Sequence, residues 1–271
     1  MKAAQLAILV LLSGCLDLAS EPIEPELRIV ANSISLSDLQ ATQTAFTDLA
    51  LGELDLDSPA GQALIATDAG RDVAAFLVAC ALPKGQRATG RIDGTRYVFD
   101  GELGLANGWK NGAPSFSEKR WVSGCMLARI NFYGLGMKIS IHGPHSGLFV
   151  NNADRSTYGL EEGAFYGDIF TGSAPIVGWS CRGINQQAGD PNTGSALDAR
   201  DCAEHEGGTT NICGWGFSGE CNISTTSSGR ACDVKVSNGS GYYERCHDAP
   251  GALTWDEVIT VYVNDGPPVP N

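Results

Sequence analysis

Positive charge is scarce in this chain. Its 18 Lys and Arg stand against 31 Asp and Glu, a formal net charge of −13 at pH 7. Such a surface repels phosphate backbones and anionic headgroups, so nucleic acid is excluded as a partner. The acid excess serves to keep the protein soluble. No CxxC pair occurs, which removes the spacing of structural zinc sites. No apolar stretch approaches the ~20 residues of a membrane-spanning helix. The H-E-x-x-H and G-x-S-x-G patterns are absent, as is any fixed-period repeat. No cofactor or metal is expected.

What the chain does have is nine cysteines, of which Cys15 stands apart. It follows an apolar run from Ala3 to Leu12, preceded by Lys2. That run has the length of a signal-peptide core and is too short to span a bilayer. Leu12-Ser13-Gly14-Cys15 supplies small residues for a cleavage pocket and a thiol able to take a thioether-linked diacylglycerol. These four residues resemble the bacterial lipoprotein signal. The resemblance covers only the first ~15–20 residues, the span of a signal peptide. It resembles bacterial lipoproteins of unknown function and carries over no catalytic residue. It implies that residues 1–14 are removed and that Cys15 anchors the protein in the cell envelope. Leu16 stands where Asp retains enterobacterial lipoproteins at the inner membrane, which points to the outer membrane.

Without Cys15, an even set remains: Cys80, Cys125, Cys181, Cys202, Cys213, Cys221, Cys232 and Cys246. This fits four disulfides in an oxidising compartment, with 105 connectivities. Two pairs are expected on local grounds. Cys80 and Cys125 both fall in apolar helical stretches, far from the other six. Asp233–Ser237 and Gly241–Arg245 form hairpin arms around Asn238-Gly239-Ser240, which sets Cys232 opposite Cys246.

Residues 15–30 read as a polar tether, kinked through Glu21–Pro25. Residues 31–146 read as a helix-rich α+β part. A helix is expected within Ser33–Leu51. Ser58-Pro59 is an N-cap and first-turn proline for a helical region reaching Leu82, with a break at Gly70. Its end, Val73–Leu82, is apolar all round and must be buried. Asp93-Gly94 suits a tight hairpin turn between Arg87–Ile92 and Thr95–Phe99. Ser115 and Glu118 form a capping box for a helix that Gly134 would stop. Trp121, Cys125, Ala128 and Phe132 make its apolar face. Met137, Ile139 and Ile141 alternate with polar residues, as in a half-buried strand. Residues 147–264 are Gly- and Cys-rich, with long loops and a final strand at Val258–Val263. This part either stands alone or forms one compact domain with the preceding part. Residues 265–271 are a Pro-rich tail, expected to be disordered. The fold class is therefore α+β: a helical layer on an antiparallel sheet, with a disulfide-rich, loop-rich C-terminal half.

Few residues carry recognisable chemistry. His142 and His145 are spaced H-x-x-H, but Gly143-Pro144 excludes the helix that would bring both rings together. Ser146 lies one place too late for a nucleophile elbow. Asp190, Asn192, Asp198 and Asp201 occupy places 1, 3, 9 and 12 of a calcium-type register. Gly194 and Ser195 break that register, so the segment reads as a polar loop. Glu161 and Glu162 are paired carboxylates, yet neighbours in a strand face opposite ways. Trp179, Trp215, Phe217, Tyr242 and Tyr243 lie in the Gly-rich half. Trp179, Trp215, Tyr242 and Tyr243 are the binding candidates, with one of the two tyrosines facing outward. The leading expectation is a lipid-anchored envelope protein with a binding or structural role toward a protein or glycan. The alternative is an envelope hydrolase of glycan, peptide or ester bonds, drawing on His142, His145, Glu161 or Asp198.

Overall fold

Four helices begin where side chains can cap them. The computed structural model describes residues 29–32, 34–131, 137–148, 156–172, 176–184, 200, 202–203, 210–211, 213–222, 230–236, 241–248 and 252–264. Cys15 and the tether, the tail 265–271, the loop 238–240 and the calcium-type residues Asp190, Asn192, Asp198 and Asp201 lie outside them. Helix α1 (Leu36–Leu49) starts at Ser35, whose hydroxyl accepts from the Asp38 amide. Helix α2 (Pro59–Ile65) has Ser58 as its cap and Pro59 at its start. Helix α3 (Asp68–Ala81) is capped by Thr67. Helix α4 (Phe116–Ala128) carries the complete capping box of Ser115 and Glu118. Each cap satisfies an amide that the helix itself leaves open.

The strands build three sheets. Six strands lie in the order β1-β4-β11-β5-β6-β7: β1 (Ile29–Asn32), β4 (Met137–His142), β11 (Ile259–Val263), β5 (Leu160–Asp168), β6 (Val177–Arg182) and β7 (Gly216–Glu220). All neighbours are antiparallel except β6 and β7, which run parallel. A second sheet orders β10 (Thr254–Trp255), β9 (Tyr242–His247) and β8 (Cys232–Val236). Hairpin β2–β3 (Arg87–Ile92, Thr95–Asp100) turns on Asp93 and Gly94, both at positive φ. Helix α4 packs against β5, β6 and β11, while β9 touches β5 and β11. The large sheet takes β1 and β4 from before residue 147 and its other strands from after it, so the two sequence halves share one sheet.

Four disulfides tie these layers. Cys80–Cys125 joins α3 to α4, and Cys232–Cys246 joins directly opposed residues of β8 and β9, the two expected pairs. The others are Cys181–Cys221 and Cys202–Cys213.

Several local expectations need correction. The break between α2 and α3 falls at Ala66-Thr67, because Thr67 caps a new helix; Gly70 lies inside α3. Helix α4 ends at Ala128, before Gly134 and Phe132, which are outside the described residues. Strand β4 keeps Lys138 exposed as expected, but from Ile139 on it is buried on both faces, since Ser140 and His142 are as enclosed as Ile139 and Ile141. Helix α3 leaves Ala75 exposed and Phe76 half-buried.

Gly70 explains a close helix crossing. A Cβ there would lie 1.9 Å from the Leu64 carbonyl oxygen of α2. Helix propensity alone favours Ala over Gly by about 1 kcal/mol. Gly70→Ala is nonetheless expected to lower stability in urea unfolding, because backbone must move; a rise in the midpoint would contradict this packing.

Candidate functional site

Helices α1 and α2 leave an open trough between them, with a volume of about 770 Å³. Ala41, Ala45 and Leu49 from α1 and Pro59, Ala60 and Ala63 from α2 give it an apolar lining. Its size lies in the range of ligand sites. The rim is acidic: Asp48, Glu53 and Asp55 line it, and no Lys or Arg does. None of these three carboxylates joins an ion pair among the described residues. Nearby, Asp57 is engaged by the amide and guanidinium of Arg91. Leu51, next to lining residue Gly52, is 73% exposed.

The buried carboxylates are occupied differently. Between Val261 and Tyr262 the β5–β11 register shifts, so that Gly163 faces Val261, Glu161 faces Tyr262 and Glu162 is the extra residue of a bulge. Glu161 accepts from the hydroxyls of Tyr243 (2.5 Å) and Tyr262 (2.9 Å), from Lys235 Nζ (2.6 Å) and from the Ile184 amide (3.2 Å). Burial first, and the charge of Glu161 second, push the Tyr243 hydroxyl far above its usual pKa, so it stays a donor. Glu162 accepts from Arg200 Nε at 2.6 Å, both side chains being fully buried. Arg200 Nη2 donates to the carbonyl of Ala128, the last residue of α4, where a cation also favours the helix dipole.

His142 is enclosed as well. Its Nδ1 meets the Gly241 carbonyl at 3.2 Å, its Nε2 meets the Ser140 hydroxyl at 2.8 Å, and its ring stacks on Tyr262 at 4.4 Å. His145 sits elsewhere: its Nδ1 accepts from the Gly147 amide, and its ring tilts over Trp121. Burial lowers its pKa, against the opposing pull of Glu118. The two histidines thus serve separate neighbourhoods, and Ser146 is exposed. The one group of described residues close enough to share a metal is Cys181, Cys232 and Cys246. There two disulfides abut, with Cys181 Sγ 3.6 Å from Cys232 Sγ, so these sulfurs are already bonded.

Aromatic residues proposed for binding mostly close the interior. Trp215 is 2% exposed and Tyr243 is fully buried, so neither can stack on an outside ligand. Trp215 meets Phe165 edge-on, and Tyr243 serves Glu161. Trp179 is half-buried and covers Gly216, whose absent Cβ would lie 2.0 Å from the ring. Phe217 is buried. Tyr242 is the outward member of the tyrosine pair, though half-buried.

A polar row that the sequence did not announce crosses the small sheet. Asp233 Oδ1 lies 3.1 Å from His247 Nε2, and His247 Nδ1 lies 3.3 Å from the Thr254 hydroxyl. Thr254 faces His247 directly across β9 and β10. Arg245, at positive φ, also pairs with Asp233. The trough too was missed, because Ala at i and i+4 carries no chemical label in a sequence. No family model, curated protein or solved structure matches this chain.

Removing one member of a buried charged pair leaves the other stranded, at a cost of about 3–5 kcal/mol. Glu161→Ala and Glu162→Ala are each expected to show that loss in chemical denaturation; wild-type stability in both would reject the network. A second expectation concerns pH. The hydrogen bond from His247 first, opposed by burial, and then the charges of His247, Arg245 and Arg230 hold the Asp233 carboxyl below its ordinary value of 3.8. The unfolded chain therefore takes up this proton more readily. The contribution is full above pH 3.8 and lost as pH falls through the lower folded value. Asp233→Asn should flatten the acid limb of the stability profile, and an unchanged limb would count against the pairing.

Proposed function

We propose that this protein is a lipid-anchored component of the bacterial envelope, held at the outer membrane through Cys15, with a binding role rather than a catalytic one. The trough between α1 and α2 carries this reading. It is an outward-facing apolar concavity whose acidic rim has no counter-ions among the described residues. The side chains that a hydrolase would use first are spent on architecture: Glu161, Glu162 and His142 are buried and each is held by hydrogen bonds inside the fold. Neither an aromatic platform nor a converging set of polar groups marks an enclosed reaction site among the described residues. No described helix is long and apolar enough to cross a membrane. Several acyl chains anchor stably, since each buried CH₂ adds ~0.8 kcal/mol.

A hydrolase remains the second reading, favoured by the Asp233–His247–Thr254 row. Its hydroxyl, imidazole and carboxylate stand in the order that activates a nucleophile. It lies on an open sheet face, without the enclosure that excludes water from a reacting centre.

Two measurements test these readings. Mass spectrometry of the mature N-terminus should find diacylglyceryl-modified Cys15, and Cys15→Ala should release the protein from membranes or block its processing; an unmodified terminus beyond Cys15 defeats the anchor. Incubation with an activated ester or a fluorophosphonate should leave Thr254 unmodified. Labelling of Thr254 that disappears in His247→Ala would overturn the non-catalytic assignment.

A further inference from the structure

We infer that the α1–α2 trough receives an amphipathic helix of a protein partner, with Lys or Arg flanking its apolar face. This rests on the binding role proposed above and names the partner's chemistry.

The lining decides the kind of backbone that fits. A partner adding a β-strand needs a row of free backbone amides and carbonyls. Two trough walls are helices, whose backbone groups bond internally, and in the connection between them the amides of Gly52, Asp55 and Ser58 donate to Leu49, Glu53 and Asp55, so no extended row is offered. A glycan needs a stacking ring or several free polar groups. No aromatic side chain lines the trough, and of its two hydroxyl residues Ser58 is already engaged, accepting from the Gly61 amide and donating to the Asp55 carbonyl. A third helix needs neither. It needs small side chains at helical intervals, so that its own ridge can descend between two others. Ala41 and Ala45 lie one turn apart on α1, and Ala60 and Ala63 one turn apart on α2. The α1 lining runs from Ala41 to Leu49, about 12 Å at ~1.5 Å per residue, so a little over two turns of a partner helix fill the trough and any further turns of it lie outside.

Charge decides the flanks. Asp48, Glu53 and Asp55 border the apolar floor and have no cationic partner within the described chain. Bringing an apolar helix down without counter-charge would strip water from these carboxylates with nothing in return. Lys or Arg beside the apolar stripe supplies the return, and also steers the encounter. An acidic or phosphate-bearing ligand is repelled by the same rim.

The test uses the full mature chain and a fluorescent designed peptide of Leu and Lys, about five turns long, with one apolar face. Its counterpart carries Glu in place of Lys. Anisotropy should show binding of the Lys peptide, weakening at least roughly tenfold when salt rises enough to screen the rim. Asp48→Asn/Glu53→Gln/Asp55→Asn should weaken it about tenfold, whereas Asp72→Asn/Asp93→Asn/Asp256→Asn, equal in charge but away from the trough, should not. Ala41→Trp/Ala63→Trp, at two exposed positions, should abolish binding while far-UV circular dichroism is unchanged. If this plugged variant binds as well as wild type, the trough is not the site and the binding reading loses its support. If the plug works but the Glu peptide binds equally tightly, the trough survives as a site and the cationic helix is wrong.

Discussion

Strand β5 is buried on both faces, and it carries two adjacent carboxylates that have to be satisfied there. A buried carboxylate left without donors is untenable, so each one dictates what packs against it. Glu161 points to the side of the small sheet and draws in Tyr243 and Lys235 from β9 and β8, together with Tyr262 from β11. Glu162 draws in Arg200, which in turn closes the end of α4. Adjacent places on β5 face opposite ways, so the neighbouring glutamates serve different layers. The disulfides then fix elements that this pairing has already brought together: Cys80–Cys125 within the helical layer, Cys232–Cys246 within the small sheet.

Much of the frame was legible in the sequence because its signals are local. Ser58-Pro59, the Ser115–Glu118 box and Asp93-Gly94 each act within four residues, and each appears where expected. The Cys232–Cys246 bridge follows from counting outward from a hairpin loop. The misses arose where a distant contact outweighed a local cue. Gly70 looked like a helix break but answers to the Leu64 carbonyl across a helix crossing. The polar half of β4 looked solvated, yet His142 is covered by Gly241, ninety-nine residues further along the chain. Tyr243 and Trp215 looked like binding aromatics for the same reason: nothing near them in sequence reveals a buried glutamate or a facing Phe165.

The candidate site was illegible for a different reason. Its floor is alanine, which has no chemistry to announce, and its rim is three ordinary carboxylates in a chain rich in them. Only folding reveals that these charges have no counter-ions among the described residues while Asp57, close in sequence, has Arg91. The molecule thus separates its polar resources. Those inside hold layers together, and those around the trough stay open for a partner.

The most direct measurement places a photoreactive residue at position 63, in the trough, or at position 95, beside the hairpin turn, of the full-length protein in the cells that make it. Cross-linked peptides are then sequenced. The account predicts that position 63 captures a segment with an apolar stripe flanked by Lys or Arg, and that position 95 does not. Cross-links confined to position 95, or a captured segment at 63 that is acidic or extended, would contradict it.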